Sequence, residues 1–189
     1  QGQIHRENHA EIKKLTISYS GAVTDYDTKA LTSALVYGFL NTISDGSVNF
    51  VNALSVAESR GIVVEENVVH HVQDFANQIT LSVTCEDKTN LIAGTLFGNK
   101  NYRFVRFNDF YLEVIPDGYI LALHNYDRPG VIGKVTSILG SHQINVSRMQ
   151  LTLDKTFVQG SSESCLQEAV SFINIDQPVN DAILEELLK

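Results

Sequence analysis

The stretch that most constrains the fold is LHNYDRPGVIGKVTSILGSHQINVSRMQL, residues 123–151. A strand-like run enters it and stops at Asp127-Arg128-Pro129-Gly130. Proline lacks the amide that a ladder needs, and glycine opens backbone conformations closed to other residues, so the strand ends there. An amphipathic run follows, and a second strand-like run begins at Ile144. Strand, helix and strand in such short order require a helix layer packed on a sheet.

The elements around that stretch extend the pattern. Pro116-Asp117-Gly118, a turn tripeptide between two apolar runs, is the strongest boundary signal in the chain. Beyond it the order is strand (119–126), helix (130–142), strand (144–153), a polar loop containing KTFVQGSSES, strand (166–175) and helix (179–189). Pro178, after Asp176-Gln177, suits the first turn of that last helix. This is β-α-β-β-α, five of the six elements of a ferredoxin-like split βαβ unit, βαββα(β). The final strand is missing, so the expectation is a truncated chain or a disordered tail.

Upstream, residues 1–14 are polar and read as a solvated linking segment. LTISYS from Leu15 alternates as a short strand. Asp27 is placed to cap a helix, TKALTSALVYGFL, with Leu31, Ala34, Leu35, Gly38 and Phe39 on one face. VNFV (48–51) reads as a strand, and NALSVAESR as a short helix capped by Asn52 and stopped by Gly61. IVVEENVV (62–69) is ambiguous, strand in part. QITLSVTCE, NLIAGTLFG, RFVRF and FYLEVI are then successive strands, the last two joined by the hairpin signal Asn108-Asp109. The expected fold class is α+β in two small domains, residues 12–117 and 118–189, with 1–11 the end of a linker.

Charge and composition narrow the function. The net charge of −8 argues against a duplex nucleic-acid binder, which carries a basic stripe. No apolar run approaches the roughly 20 residues of a membrane span, so no membrane partner is expected. Cys85 and Cys165, far apart and without ligand spacing, read as buried thiols in a reducing, cytoplasmic setting. Of the 6 histidines, His5, His9, His70, His71 and His142 sit in polar surroundings, and His124 lies in the strand before the turn. His5 and His9, four apart in HRENH, have the glutamate misplaced for a metalloprotease helix, so no metal is expected. A dinucleotide glycine fingerprint, a P-loop, a nucleophile elbow and paired helical carboxylates are all absent from the 189 residues. Gly94-Thr95-Leu96-Phe97-Gly98 comes nearest to a glycine loop but leads into another strand.

YDRPGVIGKVTSILGSHQINVSRMQL resembles an ACT domain, in the form found at the C-terminus of bacterial-type D-3-phosphoglycerate dehydrogenases. The residues that carry the likeness are Asp127, Arg128, Pro129, Gly130, Gly133, Leu139, Ile144, Asn145, Met149, Gln150 and Leu151. The upstream half is similar to the allosteric-substrate-binding domain of those enzymes: Ile17-Ser18-Tyr19-Ser20-Gly21, then VNFVNA, RGI, AGTLFG and RFVRFNDFYLEVIPDGY. The likeness covers residues 12–189 and implies a regulatory fragment. The catalytic, NAD-binding domain of the parent would precede it, and the chain itself would carry no catalytic residue and no cofactor. The first residue, Gln1, fits a piece cut from a longer protein. A bacterial serine dehydratase joins the same two modules, but its Ser-Ser-Ser-His-Thr-type motif is not present.

Periodicity alone makes Asp127 an Asx-type turn residue and Asn145 a turn residue before a strand. The resemblance implies a ligand role for both. An amino-acid carboxylate would dock on the amides of Val131, Ile132 and Gly133 at the helix N-terminus, with Pro129 and Gly130 shaping the entry beside Arg128. The ammonium group would meet Asn125, Asp127 and Asn145, the last across a homo-oligomer interface. L-serine is the effector implied. Asn125 departs from the His or Tyr that relatives carry.

A second candidate is an anion site at Lys100, Arg103 and Arg106. Strand alternation puts Arg103 and Arg106 on opposite faces unless a bulge intervenes. Arg103 matches a basic position that binds anions in related domains, while a second such position is Ile115 here. The rival readings are the regulatory part of an L-serine dehydratase and an oligomerisation module that binds no ligand.

Overall fold

A computed structural model describes residues 11–44, 47–69, 75–86, 88–98, 100–153 and 167–188. His5, His9, His70, His71, Cys165 and the polar loop over 155–164 lie outside the described residues. Packing divides the chain between Asn101 and Tyr102 into two compact units.

In the first unit, β1 (Lys14–Gly21) is followed by a 3-10 turn, α1 (Lys29–Leu40), α2 (Ala53–Ser59), β2 (Val63–Val69), β3 (Asn77–Thr84) and β4 (Thr89–Phe97). The strands lie in the order β2-β1-β3-β4, with β2 parallel and β3 antiparallel to β1. Strict alternation in β1 sends Leu15, Ile17 and Tyr19 into the core against Val36, Phe39 and Leu40 of α1 and Ala53 and Ala57 of α2. The ambiguous segment 62–69 is thus a strand, β2. At the end of α2, Gly61 turns left-handed (φ 73°), and the amides of Gly61 and Ile62 return to Glu58 and Ala57. That is the glycine stop expected from the sequence.

Three upstream readings are corrected. The buried face of α1 is centred on Thr32, Val36, Phe39 and Leu40, with Leu31 and Leu35 half-buried at its edge, so of the expected face only Phe39 is fully buried. Thr32 turns inward because it is hydrogen-bonded: the Tyr19 hydroxyl lies 2.8 Å from its Oγ1, which donates to Glu66 Oε1 at 2.6 Å. The N-cap position of α1 falls to Thr28, with Asp27 Oδ1 accepting from the Lys29 amide at 3.0 Å. VNFV is not a strand. Asn49 Oδ1 accepts from the amides of Val51 and Asn52, and Asn52 Oδ1 accepts from the Asn49 amide at 2.7 Å. These side chains satisfy the local backbone in place of a ladder; Asn52 holds the N-cap position of α2 as expected, with its side chain turned back to the loop.

Burial pushes the Tyr19 phenol above its ordinary value of 10.0; the Thr32 hydrogen bond opposes that rise and the Glu66 charge adds to it. A phenol that holds its proton longer in the folded state stabilises the fold fully below pH about 10. That contribution is lost as pH rises and the unfolded phenol ionises first. Tyr19→Phe is expected to flatten the alkaline fall in urea midpoint relative to the parent chain. Parallel alkaline limbs in the two proteins would refute the assignment.

The second unit holds β5 (Asn101–Phe107), β6 (Phe110–Val114), β7 (Tyr119–Tyr126), α3 (Val131–Ser141), β8 (Val146–Leu153), β9 (Glu168–Ile175) and α4 (Asp181–Leu187). Its sheet runs β7-β9-β8, all neighbours antiparallel. Helices α3 and α4 cover one face through Val135, Ile138, Leu139 and Ile183, packed on Leu121, Ile173 and Ile175. The β5–β6 hairpin covers the other face, with Leu112 and Val114 on Val170 and Phe172. The middle strand β9 therefore shows no alternation: Ala169 to Ile175 are all buried. Asn180 Oδ1 caps α4 by accepting from the Ile183 amide at 2.9 Å.

Candidate functional site

The Asp-Arg-Pro-Gly turn carries β7 into α3. The Asp127 amide donates to the Gln167 carbonyl at 2.7 Å, which closes the strand pairing. Gly130 is the N-cap of α3 with φ 92°, a left-handed conformation that favours glycine. Its carbonyl accepts the Lys134 amide at 2.9 Å. The Val131 amide already donates to the Arg128 carbonyl at 3.4 Å, so it is not free as expected. The amides of Ile132 and Gly133 have no acceptor among the described residues. The exposed Asp127 carboxylate accepts no side-chain hydrogen bond among them either.

Asn125 Nδ2 donates to the Tyr126 carbonyl at 2.8 Å, which leaves Oδ1 as the outward acceptor. Arg128 lies over the Tyr126 ring, 5.8 Å from its centroid. Two amides without an acceptor among the described residues thus open the positive end of α3, and the exposed Asp127 and Asn125 lie on the chain that leads into it. Together they offer donors to a carboxylate and acceptors to an ammonium group.

Asn145 is placed elsewhere. Its amide donates to Asp176 Oδ1 at 2.9 Å, and its carbonyl accepts the Asp176 amide at 3.2 Å, which leaves the side chain exposed. Tyr119 and Val146 both stand beside Ile175, so β7 and β8 start at the same level. Asn145 lies at that starting end and Asp127 at the far end of an eight-residue strand, roughly 25 Å away at about 3.3 Å per residue. One chain does not bring them together.

The basic candidates also part company. Lys100 belongs to the first unit. Arg106 Nε donates to the Asn108 carbonyl at 2.7 Å, and its guanidinium lies over the Tyr111 ring. The β5–β6 register shifts between Phe104 and Arg106 with the extra residue on β6, so β5 keeps its alternation and the two arginines do not converge. Arg103 instead lines a pocket of about 350 Å³ with Arg148, Glu113, Gln150, Phe172 and Asn174. Its Nε lies 3.5 Å from Glu113 Oε1. The Glu113 amide donates to Gln150 Oε1 at 3.0 Å, and Asn174 Nδ2 donates to the carbonyls of Ile115 and Asp117.

Sequence reading missed Arg148, Glu113, Gln150 and Asn174. Arg148 and Gln150 are two apart on β8 and share a face. Only the pairing of Arg148 with Asn174 and Gln150 with Phe172 shows what that face meets.

Among the described residues no strand-to-helix turn carries the dinucleotide glycine fingerprint. No cluster of three or more His, Cys, Asp or Glu is placed to hold a metal among them. No described helix is long and apolar enough to cross a membrane. Cys85 is a buried free thiol.

The fold and loop define a two-part assembly of regulatory type, a mixed-sheet module followed by an ACT domain. Residues 2–108 match the family described as the D-3-phosphoglycerate dehydrogenase intervening domain, and residues 119–189 match the ACT domain. The chain belongs to the regulatory region of the D-3-phosphoglycerate dehydrogenase family, with both modules in that order. It is 32% identical over 176 residues to the D-3-phosphoglycerate dehydrogenase of Bacillus subtilis, covering 93% of this chain and 32% of the relative. The enzyme of that name from Archaeoglobus fulgidus is 32% identical over 179 residues, 94% of this chain and 32% of the relative. That of Synechocystis is 31% identical over 179 residues, 94% and 31%. The chain spans about a third of the length of these relatives.

Proposed function

We propose that the chain is a feedback sensor that binds L-serine or a similar small amino acid between the ACT domains of two copies. In the whole protein it would thereby regulate NAD-dependent oxidation of 3-phosphoglycerate in the cytoplasm. The observation that carries this reading is the turn into α3, where the amides of Ile132 and Gly133 lack an acceptor among the described residues and follow the exposed Asp127 across the Arg-Pro-Gly turn. The amino-acid carboxylate meets the amides and the helix dipole. Its ammonium group meets Asp127 and Asn125 Oδ1, and Asn145 of the second copy closes the site.

The family matches, ending at 108 and resuming at 119, support a division into modules 12–117 and 118–189. An effector that favours one arrangement of the two copies shifts the equilibrium of the whole protein by its differential affinity.

Titration calorimetry with L-serine on a verified dimer tests the reading. Asp127→Ala is expected to weaken binding at least about tenfold, the scale of a lost charge-assisted hydrogen bond. No heat at millimolar serine from a confirmed dimer would leave an oligomerisation module instead. Arg103 is proposed as a separate anion-binding residue, supported by its place in the pocket on the opposite face of the sheet.

A further inference from the structure

We infer that β2 is a self-association edge of the first unit, along which two copies of the chain pair antiparallel about a two-fold axis at Glu66. β2 is an outer strand, paired only with β1. The Val63 amide donates to the Lys13 carbonyl at 2.9 Å, which fixes the phase of the ladder. The backbone groups of Val63, Glu65, Asn67 and Val69 therefore face β1, and those of Val64, Glu66 and Val68 face outward. No described residue takes the outward groups. β6, another outer strand, differs: its Tyr111 carbonyl accepts from Thr152 Oγ1 at 2.9 Å, and its Glu113 amide donates to Gln150 Oε1 at 3.0 Å. Every residue of β2 except Val64 is exposed, so no helix overhangs the edge.

The strand matches a copy of itself. Antiparallel pairing about a two-fold axis sets one residue opposite its own copy. In VVEENVV, centring on Glu66 puts Val64 opposite Val68 and Val63 opposite Val69. Centring on Glu65 or Asn67 would instead oppose Val64 or Val68 to Glu66. The Glu66 register also aligns the outward groups, so the Glu66 pair and both Val64–Val68 pairs exchange their hydrogen bonds. It covers Val63, Val68 and Val69, which are 54%, 50% and 42% exposed in the single chain. This self-matching favours a second copy over a foreign peptide.

Charge does not oppose the pairing. Charged side chains commonly guard an edge strand, but both glutamates here are matched within the chain. Lys14 Nζ lies 2.7 Å from Glu65 Oε2. The two carboxylate oxygens of Glu66 accept from Thr28 at 3.0 Å and Thr32 at 2.6 Å, which holds the charge toward α1 and away from its mate. Across the pair, each Glu65 meets the Asn67 amide of the other copy, a donor for its remaining oxygen.

The test is residue-resolved amide exchange by NMR on the full chain at about 20 µM and about 1 mM, a range that brackets weak association. The amides of Val64, Glu66 and Val68 should exchange about three- to sevenfold more slowly at the higher concentration, the fall in unpaired fraction that mass action gives for a dimer. Those of Glu65, Asn67 and Val69, held by β1, should not change. In a mixture of labelled and unlabelled chains, the α-protons of Glu65 and Asn67 from different copies should be in contact. Val68→Pro removes only an outward amide, and Val68→Lys sets an unmatched charge on the edge. Each should abolish the slowing at Val64 and Glu66 while circular dichroism stays that of the parent. Exchange independent of concentration would overturn the inference, whether fast as on a bare edge or slow as on one covered from within the chain. So would slowing that survives in a folded Val68 variant. Slowing without the Glu65–Asn67 contact would rule out the Glu66 axis.

Discussion

Gly21→Ala is expected to unfold the first unit under conditions where the parent chain is fully folded. Gly21 ends β1 with φ 79° and ψ −155°, a region essentially confined to glycine. A Cβ built there would lie 2.0 Å from the Ala76 carbonyl oxygen and 2.8 Å from its carbon. Both are backbone atoms, so no side chain can swing away. The Ala22 amide donates to that same oxygen at 3.1 Å, and Gly21 pairs with Asn77 in the β1–β3 ladder.

Relief of the clash must therefore break the end of the central pairing. Strain of about 1–3 kcal/mol from the backbone alone, with the clash added, is large against a typical stability of about 5–15 kcal/mol. Urea denaturation followed by circular dichroism reads the effect. A midpoint equal to the parent's would show that the β1–β3 junction is not as tight as described.

The second large effect is expected at Phe172. Its ring packs edge-on to Phe107, with centroids 5.5 Å apart, and with Leu112 and Val114 it joins the hairpin to the sheet. Phe172→Ala should cost about 3–5 kcal/mol, the range for a large aromatic removed from a core. Loss should concentrate in the hairpin, because α3 and α4 pack on the opposite face through other residues. Hydrogen exchange separates this from a uniform decline: amides of 101–114 should exchange faster before those of α3 do. Equal loss of protection across the second unit would argue against a locally held hairpin.

The second unit was legible because its elements are punctuated. Pro116-Asp117-Gly118, Asp127 to Gly130 and Asp176 to Pro178 mark ends by local chemistry, and Gly118 and Gly130 adopt the positive φ such turns use. The pocket around Arg103 was not legible. Arg103 and Arg148 are far apart in sequence, and only the packing of the hairpin on β8 and β9 joins them.

In the first unit, α1 shows a limit of periodicity. Its residues are apolar on more than one side, and a threonine held by Tyr19 and Glu66 decided which side turned inward. VNFV failed for a related reason, since paired asparagines supplied the backbone with partners that a strand would otherwise need. The turn from β7 into α3 stands between these cases. Its turn and helix entry are local and were readable, but only the folded chain shows that Val131 is already engaged and that Asn145 sits at the opposite end of the sheet.

That separation has a genetic consequence. On the proposed reading, each binding site takes Asp127 from one chain and Asn145 from another. A form lacking Asp127 and a form lacking Asn145 would each have no working site when paired with itself. Paired with one another, they would assemble one site from the two intact halves and one from the two damaged ones. Two alleles that each abolish feedback would thus complement one another in the same cell, restoring half of the sites in every mixed pair.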